Sequence, residues 1–140
     1  MTAQISTYGF KNVQATLDGQ PVTGFFDGGE VVVVAPINNR SNLLVGADGS
    51  AIHSVSADRS MTITLRLKHT SPTHRLLTQK LRNMESRGGN ARTFPFDVQD
   101  TTSGEGGSAE QCMIQSPPGQ SNATDATVRE WVLVTGTWIT

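Results

Sequence analysis

The cleanest periodicity in the chain lies at residues 60–69, where Met61, Ile63, Leu65 and Leu67 alternate with Thr62, Thr64, Arg66 and Lys68. Period-two alternation over this length predicts a strand with one face in a core. Residues 129–139, Arg-Glu-Trp-Val-Leu-Val-Thr-Gly-Thr-Trp-Ile, predict a long final strand. Residues 8–17 alternate less regularly and end at Asp18-Gly19, a strong hairpin signal, with 20–26 as the return strand. Asp27-Gly28-Gly29 predicts a turn, and residues 31–34 a continuous apolar strand, buried on both faces and stopped by Pro36. Residues 42–46 and 50–56 pair around Ala47-Asp48-Gly49, an extended segment starts at Phe94-Pro95-Phe96, and 111–115 is a short strand. Residues 100–107 and 116–126, rich in Gly, Ser and Pro, are expected as loops.

One segment changes period. Ser71 suits an N-cap, and Pro72 suits the first helical position, where its missing N–H costs nothing. Leu77, Leu81 and Met84 then fall on one stripe with Leu76 beside it, and Gly88-Gly89 stops the helix. Many strands and one helix predict a mostly β fold, a β-barrel or sandwich with one flanking helix, as a single domain over 1–140.

Composition adds a constraint. Only 16% of residues are charged, while 17 Thr, 12 Ser and 14 Gly supply strand and turn residues. A β protein this poor in charge has few means to discourage edge-to-edge association, which suits a subunit made to assemble. Charge is also segregated: residues 59–92 hold eight basic residues against Glu85 alone, a net +7, and the remainder nets −8. Such a split fits either a nucleic-acid patch or a subunit whose basic part meets its neighbour's acidic part.

Candidate chemistry is sparse. Gly104, Gly106 and Gly107 do not sit between a strand and a helix, as a phosphate loop requires. His53, His69 and His74 lack zinc spacing, though His69 and His74 bracket a strand-to-helix turn. No Gly-x-Ser-x-Gly elbow presents a nucleophile, Asp97 and Asp100 read as solvated acids beside a loop, and Asp48-Gly49 lacks the other calcium-loop ligands. Asn122-Ala123-Thr124 matches a glycosylation acceptor, but the N-terminus carries no secretory signal. The single Cys112, in an apolar run, reads as a buried structural thiol. Trp131 and Trp138, seven apart in one strand, are expected on opposite faces, in packing and not on a shared stacking platform. The expectation is therefore a non-enzyme with no cofactor and no metal. No apolar run approaches the roughly 20 residues of a membrane span, so the subunit alone is not expected to insert in a membrane.

Residues 46–54, Gly-Ala-Asp-Gly-Ser-Ala-Ile-His-Ser, followed by Thr-Ile-Thr-Leu-Arg-Leu at 62–67 and Thr-Ser-Pro at 70–72, closely resemble the tail tube proteins of contractile-tailed bacteriophages. The resemblance extends to Tyr8-Gly9-Phe10 and residues 15–17 at the start, and to 129–132 with Gly136 at the end. Its motif positions are Gly46, Asp48, Gly49, His53, Ser71, Pro72 and Trp131; the apolar stretch 31–40 departs from the family's often acidic one.

That resemblance implies a fold like the type VI secretion tube protein. Subunits would form hexameric rings that stack into a hollow tube within a contractile sheath, between a baseplate and a tail terminator. Phage DNA would pass through the lumen without specific binding. The subunit would be assembled in the host cytoplasm and end in the virion. The basic helix residues Arg75, Lys80 and Arg82 are expected to contact neighbouring subunits or the sheath. The alternatives are the tube of a phage-derived contractile bacteriocin, a small β-sandwich carbohydrate-binding module, and a DNA-binding module resting on the basic block.

Overall fold

The computed structural model describes residues 13–26, 31–86, 93–101, 103–124 and 127–140. In chain order the elements are β1 (Val13–Leu17), β2 (Gln20–Pro21), β3 (Val32–Pro36), β4 (Ser41–Val45), β5 (Ala51–Val55), β6 (Met61–Lys68), α1 (Pro72–Ser86), β7 (Phe94–Asp100), β8 (Gly106–Ser116) and β9 (Val128–Thr135). Seven strands form one antiparallel sheet in the order β2-β1-β7-β8-β9-β6-β3, and β4 pairs with β5 alone. Part of the predicted first strand (residues 8–12), the 27–29 turn and the Gly88-Gly89 stop lie outside the described residues.

The alternation at 61–67 sets the core. Met61, Ile63, Leu65 and Leu67 all face inward, and β9 pairs in register so that Leu65 opposes Trp131 and Ile63 opposes Leu133. Leu17, Phe96, Ala109, Cys112 and Ile114 extend this buried layer across β1, β7 and β8. A sheet with one apolar face must cover it, and this one curls until Val13 of β1 meets Val32 and Val34 of β3 across a cleft of about 380 Å³. The result is barrel-like, with α1 covering the core through the fully buried Leu77 and the half-buried Leu76 and Leu81.

Helix docking is fixed at its N-terminus. Ser71 Oγ accepts from the backbone N–H groups of Thr73 and His74, capping α1, and donates to the Thr23 carbonyl. Thr73 Oγ1 accepts the Thr23 N–H, so one backbone residue is bonded on both sides to the helix start. The contact needs Gly24: a Cβ there would lie 2.7 Å from Ser71 Cβ. Asp18 and Gly19 both adopt positive φ, 53° and 78°, as a two-residue hairpin turn of the primed type requires.

Several sequence expectations are corrected. Only Gln20–Pro21 pairs as the return strand, because Gly24, at φ 76°, turns the chain toward a single bridge between Phe25 and Leu67. Val31 to Val34 are not buried on both faces: β3 is an edge strand, half-exposed, and it includes Pro36, which an edge tolerates. The last strand stops at Thr135, beyond which Thr137 and Ile139 make isolated bridges to Arg59 and Ser108. That break returns Trp138 to the core, so both tryptophans are buried instead of facing opposite sides.

The loop expected over 100–107 is shorter than that, since β7 runs to Asp100 and Gly106 already opens β8. Gly104 supplies a positive φ of 74°, while Gly106 and Gly107 serve close approach. A Cβ on Gly106 would lie 2.5 Å from the Val98 carbonyl oxygen, and one on Gly107 would lie 2.6 Å from the Trp138 ring.

Two substitutions test this packing. Leu65→Asp places a carboxylate at a fully buried position. It should cost at least about 4 kcal/mol, the loss of a buried leucine plus an unpaired charge; a wild-type urea midpoint would refute the placement of β6. Gly107→Ala should cost about 1–3 kcal/mol by overpacking against Trp138 and shift tryptophan emission. A flexible loop would register neither change.

Candidate assembly interface

From Ala35 to Ala57 every residue is exposed. Within it, β4 and β5 form a β-hairpin that projects from the body, the two strands paired only with each other. The register pairs Leu43 with His53, Val45 with Ala51 and Ser41 with Val55, which puts these six residues on one face. Leu44 opposite Ile52 and Asn42 opposite Ser54 occupy the other. Leu43, Leu44, Val45, Ile52 and Val55 are between 57% and 84% exposed. Apolar side chains therefore stand on both faces of a two-stranded ribbon, which cannot cover either face by itself.

The ribbon is nonetheless built at both ends. At the tip, Gly49 takes φ 86°, Gly46 exchanges backbone bonds with Ser50 and Gly49, and Asp48 Oδ1 accepts from the Ser50 N–H and hydroxyl. Those two bonds hold the Asp48 carboxyl below its usual range. At the base, the Ser56 N–H donates to Arg40 O, the Ile37 N–H donates to Ser60 O, and the Arg40 guanidinium reaches Met61 Sδ. Asp58 accepts from the Ser60 hydroxyl, the Asn38 amide and the Ser60 N–H, which lower its pKa to about 2. The stalk is thus pinned by polar bonds while the blade stays uncovered.

The motif residues do not converge on one site. Gly46, Asp48, Gly49 and His53 shape the exposed hairpin, whereas Ser71, Pro72 and Trp131 belong to the seam between α1 and the core. The Trp131 indole N–H donates to His74 Nδ1 at 3.0 Å, giving a buried polar group its partner. Of the basic helix residues, Arg75 and Arg82 are exposed, while Lys80 bonds Asp18 at 2.6 Å and lies over the Phe94 ring. Reading the residues alone missed Leu43, Leu44, Val45, Ile52 and Val55 as a surface. The available signal was an apolar run, Leu43-Leu44-Val45, that cannot turn all its side chains to one side of a strand.

The family described as Bacteriophage PhiTE tail tube protein matches residues 5–139. No curated protein matches the chain. Solved structures of the same fold include the tube-terminating cap of the anti-feeding prophage, with a TM-score of 0.69 and 12% identity over 99% of this chain and 93% of that one. The sheath/tube terminator of the extracellular contractile injection system PVC, in its extended state, matches with a TM-score of 0.69 and 14% identity, over 98% of each chain. A chain of the PVC sheath-tube complex matches at 0.63 and 15%, over 91% of this chain and 86% of that one. Identities this low establish a shared fold.

The His74–Trp131 seam carries a pH prediction. Burial first, then the charges of Arg129 and His69, depress the His74 pKa below its ordinary 6.5. The unfolded chain therefore binds this proton at a higher pH than the folded one, and stability is lost as pH falls through 6.5 toward the folded value. His74→Gln keeps an acceptor for Trp131 and should flatten the loss between about pH 7 and pH 5, read as urea midpoints. An unchanged acid limb would assign it to other groups.

Proposed function

The chain belongs to the bacteriophage PhiTE tail tube protein family, and from that premise we propose that it is the structural subunit of a contractile tail's tube. Subunits close into hexameric rings, and rings stack into a hollow conduit inside the sheath, between baseplate and terminator. DNA passes through the lumen during ejection. The subunit works by assembly and not by catalysis, and it is built into the virion in the host cytoplasm.

The observation that carries this reading is the hairpin of β4 and β5, apolar on both faces and exposed in the free subunit. An assembly partner on each side removes that area from water. Five exposed aliphatic side chains contribute at least about 1 kcal/mol each on becoming fully covered, roughly 5 kcal/mol or more per subunit. A surface of one chain that fits a different surface of its copies is a heterologous contact, the kind that generates rings and stacks. Two further sheet features favour enclosure: a half-exposed edge strand β3 and a chain low in the charges that usually guard such edges.

Arg75 and Arg82 make electrostatic contacts with neighbouring subunits or the sheath. Lys80 adds to them only through whatever charge Asp18 leaves unneutralised. A bacteriocin tube without DNA would use the same surfaces. Tube terminators share this fold at a TM-score of 0.69, which supports a second reading in which rings cap a tube instead of extending it. A carbohydrate-binding module is disfavoured because Trp131, Trp138, Phe94 and Phe96 are spent in the core.

Negative-stain microscopy of the purified protein separates these readings. Long tubes support the tube subunit, single rings the terminator, and a persistent monomer rejects both. The double variant Leu44→Asp/Ile52→Asp sets two carboxylates opposite each other on the exposed ribbon; it should cost the monomer at most about 1 kcal/mol and should abolish stacking. Tubes formed by that variant would remove the hairpin from the interface.

A further inference from the structure

A cleft of about 400 Å³ lies between α1, the start of β9 and the loop carrying Pro117 and Pro118. Among the described residues its titratable lining is His69, His74, Arg82 and Arg129. Arg129 is the unusual member. It shares the inward face of β9 with Trp131 and Leu133 and is 4% exposed. Its guanidinium donates to Ser121 O at 2.7 Å, Thr127 Oγ1 at 2.7 Å and Val128 O at 3.1 Å, all neutral acceptors. The ion pairs among the described residues, Arg66–Glu130 and Lys80–Asp18, do not include it. A buried cation held only by neutral oxygens is costly unless a counter-charge reaches it.

The two imidazoles sharpen the chemistry. His74 Nδ1 accepts from the Trp131 indole, and His69 Nδ1 accepts from the Thr127 N–H. Each neutral ring must then carry its proton on Nε2, a donor with no acceptor among the described residues. The acceptor sides of both rings are consumed inside the protein, and what remains toward the cleft is two N–H donors and two guanidinium groups.

We propose that this cleft is an oxyanion site, taking a carboxylate or phosphate group against Arg129 and Arg82, with His69 and His74 as supporting donors. The anion has two possible sources: a carboxylate side chain of an adjoining subunit, or a free anion from solution. Binding to the free subunit is expected in either case, so the proposal stands independently of the tube reading.

The test is NMR titration of the non-assembled Leu44→Asp/Ile52→Asp protein with inorganic phosphate and with acetate at pH 7, following the Trp131 indole N–H resonance. That group reports on the cleft through its bond to His74. A saturable shift is expected, with a dissociation constant on the order of 1 mM, at least tenfold weaker in Arg82→Gln/His69→Gln and absent with sodium chloride at matched ionic strength. No shift with either anion, or an equal shift with chloride, overturns the proposal. The source is read separately in the assembly-competent protein. If phosphate competes with assembly and the Arg82→Gln/His69→Gln variant assembles poorly, the resident anion is a partner's carboxylate. Assembly unchanged in both respects, with binding retained, identifies a solution anion.

Discussion

The body of this protein depends on the antiparallel ladder between β6 and β9, eight residue pairs from Met61–Thr135 to Lys68–Val128. Its register puts Leu65 against Trp131, and burying an indole obliges the fold to supply an acceptor for its N–H. His74 supplies it, and His74 stands three residues into the helix from the Ser71 cap. The requirement propagates: the indole holds the helix, the cap holds Thr23, and the close approach at Ser71 demands Gly24. A motif that looks dispersed in sequence, Ser71 and Pro72 with Trp131 sixty residues on, is one mechanical unit.

Against that closed body the hairpin of β4 and β5 is a deliberate contrast. Its tip and stalk are held by glycine conformation, Asp48 and Asp58, yet its aliphatic side chains stay largely exposed. A two-stranded ribbon is marginal in water even when one face is polar. Keeping such a ribbon apolar on both faces is tolerable only if assembly covers it, and the polar stalk then decides the direction from which partners are met. Rigidity at the base lowers the ordering entropy of association, so more of the apolar gain appears as affinity.

Strand identity was legible wherever alternation was strict, and the hairpin turns at Asp18-Gly19 and 46–49 were legible because few residues tolerate positive φ. The helix was legible from its cap and stripe. The failures in the C-terminal half had a common cause: glycine and tryptophan there were read locally. Gly106 and Gly107 look like a mobile loop until β7 closes on the first and Trp138, some thirty residues later, occupies the space a side chain on the second would fill. Period-two counting likewise could not foresee that Gly136 ends the ladder and lets Trp138 turn inward. Burial of the 41–55 hairpin was equally unreadable, since an apolar strand pattern does not say whose core it enters.

Segregated charge has the same double character. In the folded chain the basic segment is partly answered from within, Arg66 by Glu130 and Lys80 by Asp18, and such exposed or half-exposed pairs contribute little stability, about 0.2–1 kcal/mol each. Their effect is on what remains. Arg75 and Arg82 are left exposed on α1, Arg82 also lining the cleft, and Arg129 is left buried on the inward face of β9. The basic segment is therefore not a uniform patch of the kind that tracks a phosphate backbone. Its exposed members are screened surface charge, which salt weakens over a Debye length of about 8 Å, whereas Arg129, outside that segment in sequence, is a buried guanidinium that salt hardly reaches. Contacts made through the first will be labile and orienting; a contact made through the second requires an anion to enter the cleft.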